Sequence, residues 1–263
     1  MMLSMSLVGK TALIGGSTQG IGLASAQALA GLGARCILIS RNGEKLQKAL
    51  ATLDASHGAA HGYIIADYST PSTVAVAVKE FLVGNTIDIL VNNTGGPAGG
   101  LASNAKPDEF LQAFQQHLIC NHILATSVLE GMKQRGFGRI INIISTSVKI
   151  PLKDLGVSNT IRGAVASWAK TMANELGQFG ITVNNVLPGA TTTERLASIL
   201  QAKAQKTGKP VEEVEKEMLA EVPARRFGKP EEIAAMVAFL ATPAAAYVNG
   251  ASIPVDGGRT GSI

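Results

Sequence analysis

A glycine-rich turn between an apolar run and an amphipathic segment constrains this chain more than any other feature. Residues 11–14 are mostly apolar, residues 15–22 read Gly-Gly-Ser-Thr-Gln-Gly-Ile-Gly, and residues 23–30 have a helical pattern. A strand, a glycine turn and a helix form the first unit of a nucleotide-binding sheet. Free N–H groups at a helix N-terminus attract a pyrophosphate, and glycine lets the backbone approach it closely. The G-x-x-x-G-x-G spacing also occurs in ordinary tight turns, so residues 15–22, the glycine turn, do not identify a site alone.

Strand-like and helix-like segments alternate along the rest of the chain. We predict strands at residues 11–14, 35–40, 62–66, 87–92, 139–144, 181–186 and 252–255. We predict helices at residues 21–31, 44–55, 72–83, 108–134, 157–179, 194–207, 211–220 and 230–241. This alternation predicts a single α/β domain over residues 1–263, a Rossmann-type doubly wound parallel sheet of about seven strands with helices on both faces. Ligands of such sheets bind beyond the carboxyl ends of the strands.

Composition narrows the classes of partner. Of the 263 residues, 46% are apolar, and the net charge is +4 with the basic residues scattered along the chain. We therefore expect no nucleic-acid partner. Cys36 and Cys120 lie in apolar segments without a Cys-x-x-Cys spacing, which favours a reducing, cytoplasmic compartment. No apolar run is long enough to span a bilayer, and no charged segment precedes an apolar core, so we expect a soluble protein without membrane attachment.

Several short motifs stand at the ends of the predicted strands. Beyond the glycine turn they are Asp67, Asn92-Asn93-Thr94-Gly95, residues 138–143 ahead of Ser145, Asn184 with Pro188-Gly189, and the ending Asn249-Gly250 to Gly257-Gly258. With these marks in this order, the chain resembles the short-chain dehydrogenase/reductase family over essentially its whole length. It looks closest to the 3-oxoacyl-acyl-carrier-protein reductase-like branch. The resemblance implies a nicotinamide cofactor, a small carbonyl or acyl substrate and a homotetramer or homodimer; no metal site is expected.

The resemblance assigns cofactor binding to residues at the strand ends. They are Gly16, Thr18, Gln19, Gly20, Ile21, Gly22, Arg41, Asp67, Tyr68, Asn93, Arg162 and Thr191. Asp67 is expected beside the adenine, although a helix-capping role is an alternative. The segment at Asn92 and Asn93 is expected to brace the strand ends rather than touch substrate.

The end of the second strand bears on the choice between NAD and NADP. An acid there would bind the ribose 2′-hydroxyl of NAD, whereas a basic residue accommodates the 2′-phosphate of NADP. This chain has Ser40-Arg41 and no acid, and a guanidinium group can form bidentate bonds to a phosphate. We therefore predict NADP, with NAD the less favoured cofactor. Alternatively, Arg41 is only a surface residue beside a turn; relatives often carry a second basic residue where this chain has Gln19.

The catalytic pattern departs from the family. Its members use a serine to orient the carbonyl, a tyrosine as acid/base, a lysine four residues later and an asparagine that holds a relay water. Ser145 matches the serine. The family motif places Ser158 at the tyrosine and Arg162 at the lysine, and an ungapped alignment places His117 at the asparagine, with Asn121 a weaker substitute.

These replacements change the proton chemistry. A phenol near pKa 10 is tuned toward neutrality by a neighbouring cation, whereas an aliphatic hydroxyl is a poor acid at neutral pH. Arg162 keeps a positive charge but does not release its proton. His117 is the candidate replacement acid because an unperturbed imidazole titrates near neutral pH. The alternative is a packed helix histidine with a satisfied hydrogen bond.

Residues 191–223 form a long excursion between the sixth strand and the following helix. In this family the region covers the active site, and its two amphipathic helices predict a mobile lid over an apolar pocket. An oligomer-facing or plain surface helix pair is the alternative. The sequence thus supports an NADP-dependent carbonyl reductase with altered proton transfer, or an inactive dinucleotide-binding sensor or oligomer partner.

Overall fold

The architecture is a parallel sheet covered by helices on both faces. A computed structural model describes residues 4–262, so residues 1–3 and 263 of the predicted domain lie outside it. Its seven strands pair in the order β3-β2-β1-β4-β5-β6-β7. The strands are β1 (Thr11–Gly15), β2 (Arg35–Ser40), β3 (Gly62–Ile65), β4 (Ile89–Asn92), β5 (Gly138–Ile143), β6 (Ile181–Pro188) and β7 (Ser252–Val255). The order reverses direction beside β1 and β4, which confirms the doubly wound fold and puts the crevice for a ligand between these strands.

The helices divide between the two faces of the sheet. They are α1 (Gly20–Gly31), α2 (Gly43–Leu50), α3 (Pro71–Phe81), α4 (Pro107–Phe114), α5 (Cys120–Arg135), α6 (Gly156–Leu176), α7 (Glu194–Thr207), α8 (Val211–Ala220) and α9 (Pro230–Ala241). One core packs α1, α2 and α9 on the sheet, and a second packs α3, α5 and α6 on the other face. Strands buried on both faces need continuous apolar runs, which is why the sequence predicts the strands correctly. Within residues 4–262, no helix has the length and apolar character needed to cross a membrane.

Most predicted helix starts are confirmed, and two helices differ from prediction. Asn42 accepts a hydrogen bond from the backbone of Lys45, as expected of a helix cap, and α3 begins at Pro71. The helix α2 ends at Leu50 rather than near residue 55, because the Thr52 and Leu53 amides bond three residues back in a turn, with the Thr52 hydroxyl also donating to Ala49.

The predicted continuous helix over residues 108–134 is wrong in one respect. A π-helical turn, Gln115–Ile119, separates α4 from α5 and is continuous with both. Periodicity in the sequence cannot reveal a single widened turn, because both flanks keep the α-helical pattern. Such turns occur often at functional sites, and this one carries His117.

A ladder of amide side chains aligns the ends of the central strands. Asn92, Asn142 and Asn185 are register partners on β4, β5 and β6. Asn92 donates to Asn142 at 2.8 Å, and Asn142 donates to Asn185 at 3.0 Å. Asn185 in turn donates to the Ser252 hydroxyl on β7 at 3.0 Å. The expected bracing role of this segment is therefore seen in Asn92, and the ladder fixes the sheet edge from which the site residues project.

Candidate functional site

The glycine turn is shaped so closely that side chains do not fit. Gly16 and Gly20 both have φ of +55°, in the left-handed region that glycine adopts readily. A β-carbon added to Gly22 would lie 2.2 Å from the Gly16 carbonyl oxygen. The Asn93 side chain closes the turn by donating to the carbonyls of Gly15 and Gly16 at 3.2 and 3.4 Å. Asn93 therefore contacts the glycine turn, where its predicted cofactor role places it.

The turn presents unsatisfied donors of the kind that hold a phosphate. The N-terminus of α1 at Gln19 has no side-chain cap, which leaves its first amides free for a ligand. The Ser17 hydroxyl is fully buried and has no hydrogen-bond partner within the part of the chain described. Thr18 and Ile21 flank it, half-buried. These residues fit the pyrophosphate of a dinucleotide, because an anion there would satisfy both the amides and the orphaned hydroxyl.

Arg41 and Asp67 follow the ends of β2 and β3, and Tyr68 is the next residue in the chain. Arg41 is exposed directly after β2. The pKa of Asp67 is lowered by the Ser69 amide and hydroxyl, with a further contribution from the positive charge of Arg41. The Asp67 carboxylate therefore accepts from the Ser69 amide in the turn after β3 and lies close to Arg41. It does not cap α3, which was the alternative role. Tyr68 differs: its hydroxyl is buried against Gly15 with no partner among residues 4–262, and burial raises its pKa.

The first turn of α7 lies over the glycine turn. Gln19 donates to the Glu194 carboxylate at 2.7 Å, so it turns toward the predicted lid rather than toward Arg41. Thr191 is buried, pairs with Gly228 in an isolated bridge, and donates its hydroxyl to the Gly189 carbonyl at 3.1 Å. The helices α7 and α8 share a small apolar cluster built on Leu196, Leu200, Ala204 and Val214. The lid region is thus a separate packing unit with its start against the crevice.

The four predicted catalytic residues come from three elements that pack together. Ser145 lies two residues after β5, and its hydroxyl accepts from the Ser147 amide at 3.1 Å. Ser158 and Arg162 lie on one face of α6 and are each 8% exposed. The helix α6 packs against both the turn that follows Ser145 and the π turn that carries His117. The packing of these elements brings the predicted residues to one region, in which His117, Ser158 and Arg162 are buried and Ser145 is half-buried.

His117 is held neutral in this cluster. Its Nδ1 lies 2.6 Å from the Thr94 hydroxyl, while its buried Nε2 has no partner in the described chain. Desolvation, followed by the charges of Arg162 and Arg195, lowers its pKa to about 2. If Thr94 donates to Nδ1, the ring carries its proton on Nε2. The alternative was a packed histidine with both ring nitrogens hydrogen-bonded. His117 differs from it, since its Nε2 is left without a partner among the described residues and is free for a ligand.

Arg162 is buried without a counter-charge. One of its terminal nitrogens donates to the Ile143 carbonyl at 2.8 Å, and its Nε is orphaned among the described residues. Burial, with a smaller contribution from Arg195, lowers its pKa to about 10. A buried cation without a carboxylate partner lowers the stability of the folded chain. Such a residue indicates a functional role rather than a stabilising one.

Sequence reasoning missed Thr94 and Arg195. Thr94 stood inside a recognised motif but was not assigned to His117, whose distance along the chain hides the contact. Arg195 stands in the first turn of α7, where the helix dipole disfavours a cation. This unfavourable position could have indicated from the sequence that Arg195 has a functional role. The Arg195 side chain reaches across the crevice and donates to the Pro97 carbonyl.

The chain is similar to known proteins over nearly its whole length. The family model described as enoyl-(acyl carrier protein) reductase matches residues 16–260. The chain is 34% identical over 258 residues to a 3-oxoacyl-[acyl-carrier-protein] reductase of Pseudomonas aeruginosa, covering 97% of this chain and 98% of the relative. It is also 34% identical over 257 residues to a D-beta-hydroxybutyrate dehydrogenase of Cupriavidus necator, covering 96% and 98%.

A solved structure extends the likeness to the whole fold. The L-sorbose reductase of Gluconobacter frateurii, crystallised with NADPH and L-sorbose, superposes with a TM-score of 0.91 at 30% identity, covering 98% of this chain and 99% of that chain. Both the sequence match and the fold therefore extend over nearly the whole length. The chain belongs to the short-chain dehydrogenase/reductase family of NAD(P)-dependent oxidoreductases.

Proposed function

We propose that this protein reduces a carbonyl substrate, of the 3-oxoacyl kind or a related oxo compound, with NADPH. The observation that carries the proposal is the set of unpartnered polar atoms along one crevice: Ser17 Oγ, His117 Nε2 and Arg162 Nε. Orphaned buried groups are costly unless a ligand satisfies them. Their placement from the glycine turn to the predicted catalytic cluster suits a cofactor followed by a carbonyl group. The relatives' reductase and dehydrogenase activities favour turnover over a non-catalytic sensor.

The residues of the chain divide the work of such a reaction. The glycine turn binds the pyrophosphate, and Arg162, in the place of the family's lysine, is suited to bind the nicotinamide ribose. Bound NADPH supplies the hydride. Ser145 orients the carbonyl, and the guanidinium group of Arg162 stabilises the negative charge that develops on the carbonyl oxygen.

The proton follows a route unlike that of the family's tyrosine. Ser158 does not replace a phenol, because its hydroxyl is too weak an acid. His117 is neutral in the free protein, where its pKa is about 2. With Thr94 donating to Nδ1, the neutral ring keeps its proton on Nε2 and donates a hydrogen bond from it to the carbonyl oxygen as negative charge develops there. Hydride addition to the carbonyl carbon leaves an alkoxide, which takes its proton from water, so His117 stays neutral throughout.

Turnover and the pH profile test this assignment together. We expect the protein to oxidise NADPH with at least one oxo compound from a graded panel, and His117→Asn to lower kcat about 10²-fold, within the range for losing one donor to a developing oxyanion. Because His117 of the free protein titrates far below neutrality, kcat/KM has no acidic limb near pH 6.5 from this residue. Asn121→Ala, one turn further on, serves as the control. Equal turnover by His117→Asn and wild type would remove His117 from the mechanism, and NADPH binding without turnover on the panel would favour a sensor.

Arg41 provides a separate test of the cofactor. We expect NADPH to bind more tightly than NADH, and Arg41→Gln to weaken NADPH about 10- to 100-fold, which corresponds to the loss of one or two charge-assisted bonds. The affinity for NADH should stay unchanged, since NADH lacks the 2′-phosphate. Lys48→Gln on α2 removes the same charge from an exposed site nearby and should change neither constant. Fluorescence titration measures all four values, and tighter NADH than NADPH binding by the wild type would refute the assignment.

Residues 191–223 act in this proposal as a mobile lid. Its support is the position of Glu194 over the glycine turn and the separate apolar packing of α7 and α8. A cytoplasmic location and a homotetramer or homodimer complete the proposal. Two buried free thiols agree with the former, and sedimentation of the purified chain measures the latter.

A further inference from the structure

We propose that the carbonyl substrate carries a carboxylate close to its reacting carbon, and that Arg162 and Arg195 bind this carboxylate together. The inference rests on the proposed reduction and deepens it by naming the substrate class: an oxo acid rather than a thioester or a neutral ketone. Neither the fold nor the glycine turn requires it. It comes from the guanidinium groups that meet in front of Gly96.

The two guanidinium groups converge on one small space. A β-carbon placed on Gly96 would lie 3.6 Å from a terminal nitrogen of Arg162 and 3.5 Å from one of Arg195. These guanidinium nitrogens are the nearest atoms to that point, and the glycine leaves it open. Two planar groups with several N–H donors can bind the two oxygens of one carboxylate.

The positive charge in this space is not balanced by the protein. Among residues 4–262, neither arginine has a carboxylate within ion-pair distance. Arg162 is 8% exposed, and its Nε has no hydrogen-bond partner among the described residues, so at least one buried N–H donor lacks an acceptor. An anionic ligand is the group that removes this cost.

The phosphates of the cofactor do not account for Arg195. They belong at the glycine turn, where Gln19 bonds to Glu194. Arg195 points away from that turn, across to Pro97 in the segment after β4. The nicotinamide ribose beside Arg162 is neutral, so it balances neither the buried charge of Arg162 nor the exposed charge of Arg195.

The position of Arg195 on its helix supports the same conclusion. It stands in the first turn of α7, where the backbone already carries partial positive charge and disfavours a cation. An anion bound in front of Gly96 would meet both guanidinium groups at once. Because α7 begins the lid region, the carboxylate would also draw the lid onto the substrate.

Matched acids and esters test the proposal. NADPH oxidation is measured with 2-oxo and 3-oxo acids and with the methyl ester of each. We expect the preferred acid to have a KM at least 10-fold below that of its ester. Arg195→Gln should raise the KM of the acid about 10- to 100-fold, the loss expected for charge-assisted bonds, while leaving the KM of the ester and the Kd of NADPH unchanged.

Two further variants separate this role from a structural one. Gly96→Ala places a methyl group in the open space at ordinary contact distances, so it should weaken binding of the oxo acid without disturbing the fold. Lys216→Gln on α8 removes one exposed charge from the lid and should change nothing. Equal use of acid and ester by the wild type would refute the proposal. An equal loss for both in Arg195→Gln would make Arg195 a lid contact, and a weakened Kd for NADPH would make it a cofactor contact.

Direct binding distinguishes failure of this inference from failure of the proposed reaction. Calorimetric titration of the NADP-loaded protein with the same acids and esters requires no turnover. Selective acid binding that Arg195→Gln abolishes would support the carboxylate site even if no substrate were reduced. Reduction of esters and acids alike, with no selective binding, would leave the reductase intact and overturn the carboxylate site.

Discussion

Gly22→Ala is expected to weaken NADPH binding at least 100-fold. The added β-carbon would stand 2.2 Å from the Gly16 carbonyl oxygen, a backbone atom, and 2.8 Å from the side-chain amide nitrogen of Asn93, which is held by its hydrogen bonds to Gly15 and Gly16. The carbonyl must move, and with it the turn that the Asn93 side chain closes. Overpacking of this kind also lowers stability, by about 1–3 kcal/mol. Fluorescence titration measures the affinity, and urea denaturation of the cofactor-free protein measures the stability.

Gly31→Ala is the matched control because it lies at the opposite end of the same helix. Gly31 has no atom within 4 Å of an added β-carbon and no left-handed backbone conformation. The substitution should therefore keep the affinity for NADPH and raise stability slightly through helix propensity. A Kd for Gly22→Ala within threefold of the wild-type value would mean that the glycine turn does not hold the cofactor.

The strands and helices of this fold are predictable because the residue types that favour each element locally are also those that its place in the fold requires. Strands such as β2 and β7, and the helices α7, α8 and α9, have the bounds that the sequence predicts. Buried strands need unbroken apolar runs, and glycine or proline ends the helices, so both signals are local. Strand-end residues were predictable as well, since a parallel sheet brings all its carboxyl ends to one edge.

For the candidate catalytic cluster, the sequence predicts which residues belong to it but not their electrostatics, and that membership stays a prediction. Sequence motifs predict the positions of Ser145, Ser158 and Arg162, but the pKa of His117 depends first on its burial and then on arginines from two other helices. No local pattern encodes the π turn or the contact between His117 and Thr94. Arg195 was missed because its role follows from the direction in which α7 leaves the sheet.

Arg162→Met is expected to stabilise the protein while nearly abolishing its activity. Burial lowers the pKa of Arg162 from 12.5 to about 10, so keeping the charge in the folded chain costs about 3 kcal/mol. The variant loses one bond to the Ile143 carbonyl, worth about 1–2 kcal/mol, and keeps most of the side-chain volume. The net gain in the free energy of unfolding should be about 1–2 kcal/mol. The kcat should fall about 10²- to 10³-fold, because the group that stabilises the negative oxygen is gone.

Arg139 gives the opposite result for a buried arginine with a structural role. It is 3% exposed and its pKa is also lowered to about 10, yet its guanidinium group donates to the carbonyls of Gly138, Gly180 and Thr242. Arg139→Met leaves three buried acceptors without this donor and should lower stability by several kcal/mol, with the affinity for NADPH unchanged in the folded fraction. The sign of the stability change thus separates a cation that waits for a ligand from one that supports the fold. If Arg162→Met destabilised the protein as Arg139→Met does, the buried charge of Arg162 would be structural, and neither the proton chemistry nor the carboxylate site could rest on it.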